Sequence, residues 1–305
     1  MKSNKSSAKL RRTGNLAEQW PMLVMMAPFL IMFCLFAVFP IFASVGLSFT
    51  RYDMLSTPTL VGIENYRRMF LSDEVFSIVL KNTFVFAIVA SPLGFLLSFV
   101  LAWFVNDFSP RIRTLLSFMF YAPSLVGNAL MVWQIAFSGD SYGYANSLLL
   151  SIGVITEPIT WLKDANYVMP IIIIVYLWQS MGISFLANIS GLQNVSRDLY
   201  EAGAIDGIRS RWQELRYITL PAMYPMLMFS AVMQIQSGFS AGAISVSLAG
   251  YPSVQYAADM LVTYMSDVGS VRYEMGYACA IAVILFIIMA SFRIIVGKIL
   301  NLVKH

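Results

Sequence analysis

"MLVMMAPFLIMFCLFAVFPIFASVGLSF", residues 22–49, places no charged side chain in 28 consecutive positions. A bilayer-crossing helix needs roughly 20 mostly apolar residues, so this run spans a membrane with length to spare. Pro28 and Pro40 are expected to tilt or kink it. The run is too long for the apolar core of a cleaved signal, so the basic stretch before it (MKSNKSSAKLRR) is expected to precede a retained first span.

Five further runs meet the same length requirement: 82–105, 115–137, 167–190, 222–247 and 275–297. The composition agrees, with 58% hydrophobic residues, 12% charged and a mean hydropathy of +0.71 over 305 residues. A soluble domain carries about 25% charged residues, and half of that leaves too little charge to cover a water-facing surface. The expected fold is an all-α integral membrane domain of six transmembrane helices. No boundary, low-complexity tract or repeat divides it, and the net charge of +4 is no nucleic-acid signal.

Lys and Arg orient the spans. The N-terminal tail (1–21), the 106–114 loop, the 191–221 loop and the C-terminal end together hold 14 of the 20 cations and 6 of the 16 carboxylates. The opposite segments, 50–81, 138–166 and 248–274, hold the remaining 6 cations and 10 carboxylates. The cation-rich side is expected to be cytoplasmic, with both termini inside.

Several classes are excluded or disfavoured. Cys34 and Cys279 both lie in apolar runs and the single histidine, His305, ends the chain, so no metal or catalytic site is expected. No Asp, Glu, Lys, Arg or His falls inside any span before Arg293. This disfavours a stand-alone secondary transporter, whose coupling ions usually need intramembrane ionisable groups or broken helices. The phosphate-cradling G-x-x-x-x-G-K-[ST] loop is absent from the sequence, so any ATP hydrolysis would be done by another chain.

The spans do hold neutral polar groups near their midpoints: Asn128 in the third, Trp178 and Gln179 in the fourth, and Gln234, Gln236, Ser237 and Phe239 in the fifth. Buried amides need partners. Each is read either as interhelical glue or as part of a path for an uncharged, hydroxyl-rich solute. As a group, they favour the path.

Between spans four and five lies a charged island, "EAGAIDGIRSRWQELRYITLP" (201–221). Residues 196–206 read as a helix, with Ser196 as N-cap, Asp198 in the first turn and Gly207 as the terminating glycine. Residues 209–219 read as a second helix, which Pro221 ends while opening span five. Small residues Ala202, Gly203 and Ala204 leave the first helix thin enough to enter a partner's groove. The plain alternative is a solvated connecting loop.

This passage resembles the EAA signature of importer-type ABC transporter permeases, in their carbohydrate-uptake branch and of the maltose-type first permease subunit. Glu201, Ala202, Gly207, Ile218, Leu220 and Pro221 match, as do Leu199-Tyr200 and Asp206-Gly207. Gly203 stands where a second alanine is usual, and ten residues rather than nine separate Gly207 from Ile218. The surplus residue is expected just after the glycine turn, before Arg211. The external stretch 60–86 is similar to that branch at Gly62, Asn65, Tyr66, Phe70, Asn82 and Thr83, and 272–286 resembles the entry to its last span.

The resemblance implies a pore-forming subunit of an ATP-driven importer of sugars or oligosaccharides, in the bacterial cytoplasmic membrane. It implies a second, homologous permease subunit as heterodimer partner, two copies of an ABC ATPase, and an extracytoplasmic sugar-binding protein. ATP and Mg belong to the ATPase, and this chain carries no cofactor. Leu199, Tyr200, Glu201, Ala202, Gly203, Asp206, Gly207, Ile218, Leu220 and Pro221 would form the element that docks on the ATPase. Rival readings are an ABC permease for a polyol or glycerol phosphate, a secondary transporter, and a membrane scaffold.

Overall fold

The computed structural model describes residues 16–126 and 129–301. Helix α1 (Leu16–Phe33) continues through a π turn at Cys34–Val38 into α2 (Phe39–Leu47). The π turn has a local cause. Pro40 has no N–H to give the carbonyl four residues earlier, and the Phe39 N–H instead reaches back to Cys34. None of the window Val24–Leu47 is buried against the rest of the chain.

A two-residue antiparallel ribbon follows, β1 (Thr50–Arg51) and β2 (Thr59–Leu60), pairing Thr50 with Leu60. Helix α3 (Glu64–Leu71) leads into α4 (Glu74–Asn106), which is 33 residues long and capped by Asp73, whose carboxylate accepts from the Phe76 N–H at 2.9 Å. Next come α5 (Pro110–Leu125), α6 (Leu130–Ala136) and α7 (Tyr144–Ser151). Helices α8 (Val168–Gln179) and α9 (Ile183–Gln193) precede α10 (Arg197–Ile205) and α11 (Arg211–Glu214). A π turn at Leu215–Thr219 passes into α12 (Leu220–Ala222), α13 (Tyr224–Phe239) and α14 (Gly242–Ala249). Helices α15 (Leu261–Ser270) and α16 (Met275–Asn301) complete the chain.

Helix α4 is the mast of the bundle, because one face of it feeds three successive hydrophobic clusters. Phe76 and Val79 pack with Leu261, Tyr264 and Ile281 of α15 and α16. Phe86 and Ala90 pack with Val175 and Tyr176 of α8 and Ile244 of α14. Phe99, Ala102 and Val105 pack with Phe185 of α9, Leu215 and Leu227.

Three helices are long and apolar enough to cross a membrane unbroken: Val24–Leu47, Glu74–Asn106 and Met275–Asn301. The fourth and fifth runs differ from the continuous helices expected of them. The 167–190 run breaks at residues 180–182, where α8 and α9 meet at 43°. Gly182 explains the position of the break: a β-carbon there would stand 2.6 Å from the Ser124 hydroxyl of α5, so the chain passes the neighbouring helix backbone-first. The 222–247 run stops at Phe239 and restarts as α14, with Gly242 pressed against Val262 and Thr263 of α15. Its entry is also bent, by 80° between Arg211–Ala222 and α13. Pro225, rather than Pro221, is the first-turn proline of α13, while Pro221 opens α12. The third run divides into α5 and α6, flanking residues 127–128; Asn128 lies outside the described residues.

The residues of the 50–81 and 248–274 stretches act as staples. Asn65 donates to the carbonyls of Ser48 (2.8 Å) and Thr50 (2.9 Å), and the Tyr66 hydroxyl to Ser48 Oγ (2.7 Å). Asn82 donates to the carbonyls of Tyr256 (2.7 Å) and Asp259 (3.0 Å), and Thr83 Oγ1 accepts from the Leu261 N–H at 2.9 Å. Gly276 donates its N–H to Tyr52, and a β-carbon on it would meet the Thr50 carbonyl at 2.1 Å. These bonds tie the start of α4 and α16 to loops far away in sequence.

Candidate functional site

The 196–222 segment folds as two short helices around a glycine turn. Ser196 caps α10 by accepting from the Asp198 N–H at 3.3 Å. Gly207 takes φ +91°, and the Ile208 and Gly207 N–H groups close back on the carbonyls of Gly203 (2.9 Å) and Ala204 (3.3 Å). That paired closure is a Schellman ending, which a residue with a β-carbon disfavours at the left-handed position. Ser210 then caps α11 within a capping box, its own N–H and that of Arg209 donating to Gln213 Oε1 at 3.2 and 3.1 Å.

The second helix is not the single α-helix expected over 209–219. After one turn it widens into the π turn Leu215–Thr219, which takes one residue more per turn than an α-helix. A surplus residue between Gly207 and Ile218 therefore has a place inside the helix, not only after the glycine turn. The π turn also aims Ile218 at α10: its Cδ1 lies 2.6 Å from where a Gly203 β-carbon would stand. Gly203 is buried while Ala202, Ala204, Glu201 and Asp206 are exposed. Its smallness thus serves the contact between the two helices, and Ala202 and Ala204 supply the thin outer face.

Tyr200 is half-buried, its hydroxyl 2.9 Å from Thr219 Oγ1, and Ile218 is buried, so these two knit the helices together. Leu199 is exposed on the outside. Leu220 and Pro221 are half-buried in the lead to α13. The loop is tied to the bundle by a bidentate pair, Arg211 to the Asp107 carboxylate at the end of α4 (2.5 and 3.0 Å), and by the Trp103–Trp212 ring contact at 5.6 Å. Sequence reading gave no sign of this tether, because its partners sit 104 positions apart.

The midspan polar residues fall into two groups. Gln234 is 1% exposed, donates its amide to the Ser180 carbonyl (3.1 Å) and accepts from the Tyr176 hydroxyl (3.2 Å). Ser180 sits at the break between α8 and α9, so Gln234 satisfies a backbone carbonyl that the break released. Phe239 is buried edge-on to Phe292 at 5.3 Å. Gln236 and Ser237 instead lie exposed on the far face of α13. Trp178 and Gln179 are half-buried, with Trp178 edge-on to Trp133 at 5.5 Å. The chain brings Gln234 and the α8 break together; it leaves Gln236 and Ser237 open to whatever lies beside α13.

A second polar cluster, missed in the sequence, sits at the other end of α4. The hydroxyls of Tyr264 (2.6 Å) and Tyr277 (2.5 Å) both donate to Asp73, and the Arg68 guanidinium stacks 4.4 Å over the Tyr277 ring. Burial pushes the Asp73 carboxyl up, but the two hydroxyls, the Phe76 N–H and the Arg68 charge outweigh it and hold the group below the usual carboxylate range.

A helical bundle with apolar runs of membrane-spanning length and a capped two-helix loop between the fourth and fifth of them is the architecture of a transport permease. The chain belongs to the family described as binding-protein-dependent transport system inner membrane component, which matches residues 90–301. It is 30% identical to the probable ABC transporter permease protein YesP of Bacillus subtilis (strain 168), covering 89% of this chain and 87% of that one. It is 33% identical to the lactose transport system permease protein LacF of Rhizobium radiobacter, covering 68% of each. The arabinooligosaccharides transport system permease protein AraP of Bacillus subtilis (strain 168) is 30% identical, covering 86% of this chain and 83% of the relative. The fold matches a bacterial ABC transporter involved in alginate import, with TM-score 0.76, 22% identity and coverage of 95% and 98%.

Proposed function

We propose that this chain is the pore-forming permease subunit of an ATP-driven importer for neutral sugars or oligosaccharides in the bacterial cytoplasmic membrane. The observation that carries the reading is the loop 196–222: a helix ended by the Gly207 turn, packed through Gly203 on Ile218, with Leu199, Glu201 and Ala202 presented outward. Relatives named for lactose and arabinooligosaccharides support a sugar cargo. The uncharged midspan amides support it too, since they offer hydrogen bonds without electrostatic trapping. The six apolar runs each cross once, with both termini and the loop inside, as the cation excess on that side favours.

In this reading the loop docks in a groove of a separate ABC ATPase, present in two copies, which holds ATP and Mg. A second, homologous permease covers the exposed faces of α2 and α13, and an extracytoplasmic binding protein delivers the sugar. ATP-driven closure of the ATPases moves the loop as a rigid wedge and opens the solute path outward, a two-state switch biased by a few kcal/mol of differential contact. The binding protein of one alginate importer has been seen in complex with a structural neighbour of this chain.

The test is co-purification of tagged chain with the P-loop ATPase of its host, followed by sugar uptake in vesicles. Glu201→Lys with Gly207→Asp should release the ATPase and abolish uptake. Retention of the ATPase by that variant would overturn the docking role, and uptake by this chain alone without ATP would overturn the ABC reading.

A further inference from the structure

Beneath the bundle, between the two loop helices and the ends of α4, α5 and α9, lies a cavity of about 490 Å³. Its charged lining is Arg113, Arg197, Arg211, Asp107 and Glu214, with Trp103, Asn106, Gln193 and Tyr200 among the rest. Asp107 is taken up in the bidentate pair with Arg211, and Glu214 also acts on Arg211. That leaves two cations. Arg113 is half-buried and, among the described residues, makes only long contacts to Asn106, at 3.3 and 3.5 Å. Arg197 is the first residue of α10, where the helix dipole disfavours a cation. Neither has a carboxylate within ion-pair distance among the described residues.

Two guanidinium groups thus line one cavity, Arg113 half-buried and Arg197 exposed at the start of α10, a pairing suited to a doubly accepting anion. Phosphate suits the guanidinium fork, which can meet two of its oxygens at once. The Trp103–Trp212 pair lies beside the same cavity, and tryptophan is enriched where spanning helices meet lipid headgroups. We propose that this cavity binds a phosphate group, carried by an anionic lipid headgroup or by a free phosphate ester, and so ties the coupling loop to the membrane surface. The placement on the cytoplasmic side rests on the orientation proposed above. Phosphate held between Arg113 of α5 and Arg197 of α10 would bridge a bundle helix and the loop that moves with the ATPase. Basic pockets of this kind between spanning helices are known hosts for anionic headgroups.

The experiment uses the complete importer, purified in detergent and probed with phosphatidylglycerol by native mass spectrometry and with inorganic phosphate by tryptophan fluorescence. Wild type should retain phosphatidylglycerol, and Arg113→Gln with Arg197→Gln should weaken that retention about thirtyfold, since each juxtamembrane cation contributes about a factor of five. Arg113→Lys with Arg197→Lys keeps both charges and should retain the lipid, which separates loss of charge from misfolding. If no lipid is retained but inorganic phosphate quenches saturably, with the same dependence on the two variants, the site stands and its ligand is soluble. Binding of neither probe, or equal binding by wild type and the glutamine variant, overturns the proposal. Orientation is read separately, by a membrane-impermeant thiol reagent on Ser210→Cys in a chain with Cys34→Ser and Cys279→Ser. Labelling from outside the cell would overturn the orientation and leave the binding result intact.

Discussion

Ile218 Cδ1 occupies the space where a β-carbon on Gly203 would begin, at 2.6 Å, with Ile208 Cδ1 at 3.2 Å from the same point. Two departures from the family pattern, a glycine for an alanine and one surplus residue before Ile218, thus meet at a single contact. Gly203→Ala should force the Ile218 tip aside and destabilise the loop by about 1 kcal/mol, the low end for overpacking, because the obstacle is the flexible end of a side chain. Ile218→Val removes that tip and should restore the Gly203→Ala variant. A double-mutant cycle on thermal unfolding and on ATPase co-purification checks this, and strictly additive effects would contradict it.

Gln234 and Gln236 lie two residues apart on α13 but should behave differently. Gln234→Leu leaves the Ser180 carbonyl without its amide donor and takes the side-chain acceptor from the Tyr176 hydroxyl, which keeps the Gln234 backbone carbonyl at 3.3 Å, at about 1–3 kcal/mol. Gln236→Leu, on the exposed face, should leave the unfolding temperature unchanged while lowering sugar uptake. Unfolding scans and uptake measured on both variants separate glue from path.

Asp73 sets an acid limit on the N-terminal end of α4. Its folded pKa lies below the ordinary value of 3.8, so its stabilising effect is fully present above that value and fades as pH falls through the lower, folded one. The purified chain should therefore lose stability at acid pH, below about pH 4. Asp73→Asn should be less stable at neutral pH and flatter across that acid window, as unfolding temperature against pH would show.

The Arg211–Asp107 pair should matter for position more than for stability. Both side chains are well exposed, 64% and 39%, so Arg211→Ala should destabilise by no more than about 1 kcal/mol. The expected signature is a drop in ATPase-coupled uptake, partly restored by the swap of Arg211→Asp with Asp107→Arg. Unchanged uptake in Arg211→Ala would show that the loop keeps its place without this tether.

Hydropathy and local capping were legible because they depend on neighbours in sequence. Six apolar runs, the Ser196 cap, the Gly207 ending and the loop between the fourth and fifth runs could all be read from periodicity and residue type. So could the family, since its signature lies in one continuous passage. The helix breaks were not legible: Gly182 and Gly242 look like ordinary small residues until Ser124 and Val262 are set against them. Nor was the division of the midspan residues, because hydropathy places Gln234 and Gln236 at one depth and cannot tell which face of α13 meets α8.

The sequence by itself determined that this chain lives in a bilayer, which way its charges bias it, and where it carries a capped, glycine-turned loop. Those properties follow from transfer free energies and short-range hydrogen bonds, which sum along the chain. Only the tertiary structure decided that Gln234 repairs a broken helix, that Gly203 makes room for Ile218, that Asp73 gathers Tyr264 and Tyr277, and that Arg113 and Arg197 share a cavity. These pairings join residues from 15 to 204 positions apart, and close packing among helices, which no local pattern encodes, chooses which of them meet.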